Sequence, residues 1–155
     1  MDSLSLLLFW LDDNRYAISL EYIDRVYPAV EITAEPNKAE GSEELGFLGF
    51  VNVHATVTPV IDIRARFGLP ARETDVHDML IMAKDGEQRL AFFVDGIDGV
   101  VRYEAEQLVN ADSMLYANSK VKLLKLDNGL VRLNELRDFL SESAKKWLES
   151  KGQIQ

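Results

Sequence analysis

The sequence predicts a mainly β fold closed by one C-terminal helix. Three observations carry this. Short runs rich in Val, Ile, Leu and aromatic residues recur along the chain, each bounded by a polar or Gly-containing turn. Two of those boundaries, Asp85-Gly86 and Asn128-Gly129, are hairpin dipeptides. A long apolar stripe at helical spacing stands after Asn134. About ten short strands and one helix fit an all-β barrel or sandwich core.

Leu4 to Leu11 is apolar on both alternating faces, which suits a strand buried on both sides. Asp12 to Arg15 is a polar turn, and Tyr16 to Ser19 reads as the return strand. Ile23, Val26 and Tyr27 continue the pattern up to Pro28. Val30 and Ile32 alternate with Glu31 and Thr33 as a half-buried strand would. Glu35 to Gly46 carries Glu35, Glu40, Glu43 and Glu44 with Pro36, Asn37, Gly41 and Ser42, and reads as an acidic loop. Phe47 to Val53 and Thr56 to Ile61 are strands, with Pro59 pointing to an edge or a bulge because it lacks a donor. Asp62 can cap a short helical turn that Gly68 and Pro70 end.

The second half repeats the strand–turn–strand habit. Met79 to Ala83 and Arg89 to Val94 form a hairpin around an Asp-Gly turn, and Ile97 to Tyr103 follows Asp95 and Gly96. Asn110 to Asn118 is a polar connection. Val121 to Leu126 and Leu130 to Leu133 flank Asp127-Asn128-Gly129. The closing helix spans 135–150, with Asn134 as its N-cap and Leu136, Phe139, Leu140, Ala144, Trp147 and Leu148 on one face.

With 155 residues, 17.5 kDa, 47% hydrophobic and 28% charged residues, the chain suits one globular domain, 1–155. The net charge of −9 repels phosphate backbones, so no nucleic-acid partner is expected. The absence of cysteine excludes thiolate chemistry, disulfides and Cys-type zinc sites. The short apolar run Leu6 to Leu11 follows Asp2 rather than basic residues, which argues against a signal peptide. No run is long enough for a membrane span, so no membrane insertion and a cytoplasmic location are expected.

Catalytic signatures are scarce. Walker and Rossmann loops, a Gly-x-Ser-x-Gly elbow and His-Glu-x-x-His do not occur. His54 and His77 stand in a turn and a polar loop, with no evident nucleophile beside them. Asp12-Asp13 reads as a solvated turn. Asp95 and Asp98 match a calcium loop only loosely, so neither a metal nor a cofactor is expected. The chain is expected not to be an enzyme.

The residues resemble a known family. Phe9-x-Leu11, Tyr16-x-Ile18, Ile23 and Val26 are similar to the opening of the CheW family of chemotaxis coupling proteins. Gly49-Phe50-Val51-Asn52 followed by Pro59-Val60-Ile61-Asp62-Ile63-Arg64 resembles its Gly-x-x-Asn and Pro-Val-x-Asp-Leu-Arg patterns. Phe93-Val94-Asp95-Gly96-Ile97, Val100, Ala105-Glu106-Gln107-Leu108 and the last hairpin extend the match from Leu6 to Leu140.

The resemblance implies two intertwined five-stranded Src-homology-3-like barrels around a shared core. It implies a scaffold that bridges the cytoplasmic domain of a chemoreceptor to the regulatory domain of a CheA-type histidine kinase. Ile23, Val26, Ile97 and Val100 are then candidate walls of a receptor groove, with Arg25, Asn52 and His54 at motif positions beside it. The sequence departs from the family there: His54-Ala55 replaces Arg-Gly, Arg25 replaces a Glu, and the acidic segment is longer. Two alternatives follow, a kinase-only adaptor in a non-chemotactic pathway, or a small β-barrel ligand-binding protein or enzyme that uses Asp95 and Asp98.

Overall fold

The computed structural model describes residues 4–29, 46–86, 88–110, 122–126, 129–140, 144–146 and 149. In chain order the strands are β1 (Leu4–Leu11), β2 (Asn14–Ser19), β3 (Ile23–Pro28), β4 (Phe47–Val53), β5 (Thr56–Ile61), β6 (Met79–Asp85), β7 (Gln88–Val94), β8 (Gly96–Tyr103), β9 (Leu108–Asn110), β10 (Lys122–Leu126) and β11 (Gly129–Asn134). A short helix α1 (Ile63–Arg66) follows β5, and a 3-10 turn (Leu136–Phe139) follows β11.

The strands form two sheets, a six-stranded one in the order β8-β1-β2-β11-β10-β9 and a five-stranded one in the order β3-β6-β7-β5-β4. The two orders repeat one design. The β1–β2 hairpin of the first sheet sends its next strand, β3, to pair with β6 of the second. The β6–β7 hairpin of the second sheet sends β8 back to pair with β1 of the first. Each half then adds a second hairpin whose last strand runs parallel to the first: β11 beside β2, β5 beside β7. This exchange makes the halves intertwined. The first sheet departs from the expected five strands only by the three-residue β9.

Three apolar clusters follow from the period-2 alternation of the central strands. Leu6 and Leu8 of β1 meet Ala17, Leu124 and Val131 inside the first half. Leu80 and Met82 of β6 meet Val51, Val60, Ala91 and Phe93 inside the second. The opposite faces of the same strands meet in a shared core: Leu7, Phe9, Leu11, Tyr16 and Ile18 from one sheet, Ile81, Ala83, Leu90, Phe92 and Val94 from the other. Ile63, Leu136, Phe139 and Leu140 fill it from the sides. Phe139 lies 5.0 Å from Phe92 and 6.3 Å from Phe9, ring centre to ring centre. The two-sided apolar pattern of Leu4 to Leu11 is therefore what a strand between two cores requires.

Several expectations change. Asp85 pairs with Gln88, so it ends β6 instead of standing in the turn, and the turn begins at Gly86, one step later than the Asp-Gly reading. Pro59 is not on an edge: β5 lies between β7 and β4. Its missing donor is tolerated because β5 meets β7 at the single pair Val60–Ala91, and β4 is irregular between Phe47 and Gly49, near its partner Phe50. Asn134 is not a cap; it is buried at the end of β11, and its side-chain amide donates to the Ala17 and Arg132 carbonyls at 3.4 and 3.2 Å. The expected helix 135–150 does not run unbroken. Leu136–Phe139 form a 3-10 turn, Leu140 is extended, and helical backbone returns at residues 144–146 and 149. The extended Leu140 lets both Phe139 and Leu140 reach the shared core. Trp147, Leu148, the acidic segment 35–45 and the Val30–Thr33 strand lie outside the described residues.

Candidate functional site

The two end strands β3 and β8 carry the same motif, Ile23-Asp24-Arg25-Val26 and Ile97-Asp98-Gly99-Val100. In each, the pairing register skips the aspartate. Ile23 lies opposite Ala83 and Arg25 opposite Met82, while Ile97 lies opposite Phe9 and Gly99 opposite Leu8. The bulge has a clear consequence. Positions three apart normally point to opposite faces of a strand, but one extra residue returns Ile23 with Val26, and Ile97 with Val100, to a common face. That face is shared with Ala83 and Ile81 in one sheet and with Phe9 and Leu7 in the other, all members of the shared core. Ile23, Val26 and Ile97 are half-buried against it. Val100 remains 55% exposed.

Each bulged aspartate is held by an arginine from the second position of the return strand of the hairpin with which its own strand pairs. Arg89 donates to Asp24 at 3.1 Å, and Arg15 donates to Asp98 at 3.1 Å. The surroundings differ. Arg15 lies over the Trp10 ring at 5.8 Å, whereas the corresponding residue in the other half, Lys84, stands 3.9 Å from Asp24.

Arg25 points away from the Ile23–Val26 face, because its partner Met82 belongs to the other core. It lines a cleft of about 290 Å³ with Asp24, Tyr27, Val53, His54, Thr56, Met82 and Arg89. His54 and Ala55 form the two-residue turn between β4 and β5, with φ of +49° and +65°. Such a turn favours Asn-Gly, so these two side-chain-bearing residues hold strained backbone. The His54 ring sits 5.8 Å from that of Tyr27. Asn52 lies apart from this cleft: it is exposed on β4 opposite Val57, which is 64% exposed.

A second charged cluster joins the halves on another side. Arg64, at the second residue of α1, donates to Asp12 at 2.6 Å and to both oxygens of Asp95 at 3.4 Å. The Asp12 amide donates to Asp95 at 2.6 Å. Arg72 donates to Asp95 and, at 2.9 Å, to Asp78. Burial pushes the Asp95 carboxyl up, but the Asp12 amide, Arg72 and Arg64 outweigh it and hold its pKa below the ordinary carboxylate value. The hydrogen bonds it donates to Asp78 and Asp95 hold the Arg72 guanidinium above its usual range against the opposing effect of burial. Asp95 and Asp98 are thus committed to arginines, which weighs against the ligand-binding or enzymatic alternative. Asp12 is a turn residue, as expected, but an ion-paired one with φ of +54°.

The structure therefore distributes the expected site residues over three places. Ile23, Val26, Ile97 and Val100 share the face between the halves, Arg25 and His54 share a cleft, and Asn52 stands outside both. Arg89, Tyr27 and Asp24 escaped sequence reasoning, although the repeated Ile-Asp-x-Val motif could have pointed to them. His77 is solvent-exposed and 3.1 Å from Asp75.

Comparisons with known proteins agree with this architecture. A family model described as the CheW-like domain matches residues 5–139. The chain is 22% identical over 142 residues to the chemotaxis protein CheW of Bacillus subtilis, covering 90% of this chain and 88% of that one. It is 22% identical over 136 residues to chemotaxis protein CheW of Helicobacter pylori, covering 86% and 79%. Its fold is similar to the crystal structure of the scaffolding protein TtCheW from Thermoanaerobacter tengcongensis, with a TM-score of 0.72, 19% identity, and 92% and 96% of the two chains covered. Among the described residues no helix is long and apolar enough to cross a membrane. The chain belongs to the CheW-like family, and with it to the non-catalytic scaffolds of chemotaxis.

Proposed function

We propose that this chain couples the cytoplasmic tips of chemoreceptors to the regulatory domain of a CheA-type histidine kinase, in the cytoplasm and without catalysis of its own. The observation that carries this reading is the CheW-like family match over residues 5–139. The repeated Ile-Asp-x-Val strands support it physically. They set Ile23, Val26, Ile97 and Val100 at the margin of the shared core, a surface against which a helical receptor hairpin could bury apolar area.

Binding of the purified chain to a kinase regulatory domain and, separately, to a receptor cytoplasmic fragment tests the proposal. Both are expected to bind. Binding to the kinase domain alone would favour the kinase-only adaptor, and binding to neither would overturn coupling altogether. Val100→Asp is the sharper groove variant, because Val100 is 55% exposed. It should abolish receptor binding and leave the fold intact. Val26 packs on the shared core, so an aspartate there also costs stability.

A further inference from the structure

We propose that two adjoining clefts around Tyr16 bind a small phosphate monoester. Arg66, Arg132 and the Tyr16 hydroxyl take its phosphoryl group, and Trp10 and Leu130 take its apolar body.

The inner cleft, of about 240 Å³, is lined by Tyr16, Arg66, Phe67, Arg132 and Asp138. The outer one, of about 590 Å³, shares Tyr16 and Arg132 and extends past Arg15 to Trp10 and Leu130. Arg66 and Arg132 are exposed, and neither is in an ion pair among the described residues. The Arg132 guanidinium lies 5.5 Å from the centre of the Phe67 ring, a contact that holds it without using its N–H donors. Arg66 donates only from Nε, to the Leu140 carbonyl at 3.2 Å. Three acids line the clefts. Asp98 is bound by Arg15, Asp138 accepts the Glu135 amide at 2.9 Å, and Asp13 is exposed in the β1–β2 turn. Two guanidiniums thus keep donors available on a chain of net charge −9.

Tyr16 is an independent sign of a ligand. Its ring stacks on Phe9 at 5.8 Å and on Phe67 at 4.9 Å, which leaves its edge to line the clefts. It is only 8% exposed, yet its hydroxyl makes no hydrogen bond among the described residues. A hydroxyl this buried and unpartnered calls for an acceptor. Burial pushes its pKa up and Arg132 acts against that push, so hydroxyl and guanidinium face one space. The other half of the molecule shows that the fold requires neither group. Leu90 of β7 holds the place of Tyr16, and Pro59 stands to Leu90, one residue before the Val60–Ala91 pair, as Arg132 stands to Tyr16. Donors from β2, α1 and β11 converge here, which suits an anion with three free oxygens better than a carboxylate with two. Beyond them, half-buried Trp10 and Leu130, which is 60% exposed, offer apolar area to whatever carries the anion.

The test titrates the full chain calorimetrically with phenyl phosphate, inorganic phosphate and benzoate. Phenyl phosphate should bind with a Kd of about 1 mM or tighter. Inorganic phosphate should bind about threefold more weakly and benzoate about tenfold more weakly. Arg132→Gln should weaken phenyl phosphate about tenfold and Tyr16→Phe about threefold. Both variants should keep the parent's circular dichroism, because neither the guanidinium nor the hydroxyl bonds another described residue. No binding of phenyl phosphate at about 10 mM, or unchanged binding in both variants, would overturn the proposal. Benzoate binding as tightly as phenyl phosphate would overturn the choice of a phosphoryl group. Equal affinities for inorganic and phenyl phosphate would overturn the part given to Trp10 and Leu130.

Discussion

The two halves of this molecule are built on one plan and finished differently. Both have a bulged Ile-Asp-x-Val strand, an arginine on the bulged aspartate and a hairpin running parallel to the first. At the first turn the second half uses Gly86, with φ of +65°, where the first half places Asp12, with φ of +54°. Asp12 occupies a glycine conformation and in return bonds Arg64 and Asp95. At the second hairpin the pattern reverses. The first half places Gly129, with φ of +129° and paired with Leu126, directly after its turn, and the second half has the strained His54-Ala55 as the turn itself, beside the Arg25 cleft. In both cases a residue that local backbone preference disfavours is kept where it makes a contact between the halves or faces a cleft. Deviations from the shared plan, rather than the plan, point to function.

If the halves are one cooperative unit, the largest effect belongs to the shared core. Phe92→Ala removes a fully buried ring that contacts Phe9 and Phe139. It should cost about 3–5 kcal/mol and lower a single unfolding transition seen alike by tyrosine absorbance and circular dichroism. Two separated transitions would show that the halves unfold independently.

The next effect tests the ionic junction. Asp95→Asn leaves Arg64, only 11% exposed, with a weaker partner, and should cost about 2 kcal/mol at neutral pH. The folded pKa of Asp95 lies below the ordinary value, so its stabilisation is present above about pH 4 and is lost as the pH falls through the folded pKa. Denaturant curves of parent and variant should therefore converge below about pH 4. A gap independent of pH would assign the loss to packing instead of charge.

Much of the fold was legible before the structure, and the reasons are physical. Strand periodicity exposed the two-sided burial of β1, and Asp62 announced the α1 cap, whose carboxylate accepts from the Ala65 amide at 3.1 Å. The C-terminal stripe misled. Leu136, Phe139, Leu140 and Ala144 are buried as their spacing suggests, but a 3-10 turn and an extended Leu140 bring them inward just as well as one α-helix would. The site was less legible. Ile23 with Val26 and Ile97 with Val100 do share a face, but only through bulges that a strict alternation of two would miss. The Asp12–Arg64–Asp95 junction joins residues distant in sequence, and no local pattern encodes it.

Strain at the second hairpin offers a smaller, opposite effect. Ala55→Gly should relieve the positive φ and raise stability by about 0.5–1 kcal/mol, measured as a shift of the denaturant midpoint without change in slope. The same change at a residue with negative φ would destabilise. A loss of stability in Ala55→Gly would mean that the methyl group packs usefully and that the turn is not strained.

The smallest effect separates the twin ion pairs. Arg15 is 12% exposed and lies over Trp10, whereas Arg89 is 43% exposed. Solvent screens the second pair more than the first, although both distances are 3.1 Å. Asp98→Asn should thus cost about 1 kcal/mol and Asp24→Asn less than about 0.5 kcal/mol. Equal stability losses in the two variants would show that burial does not distinguish the pairs.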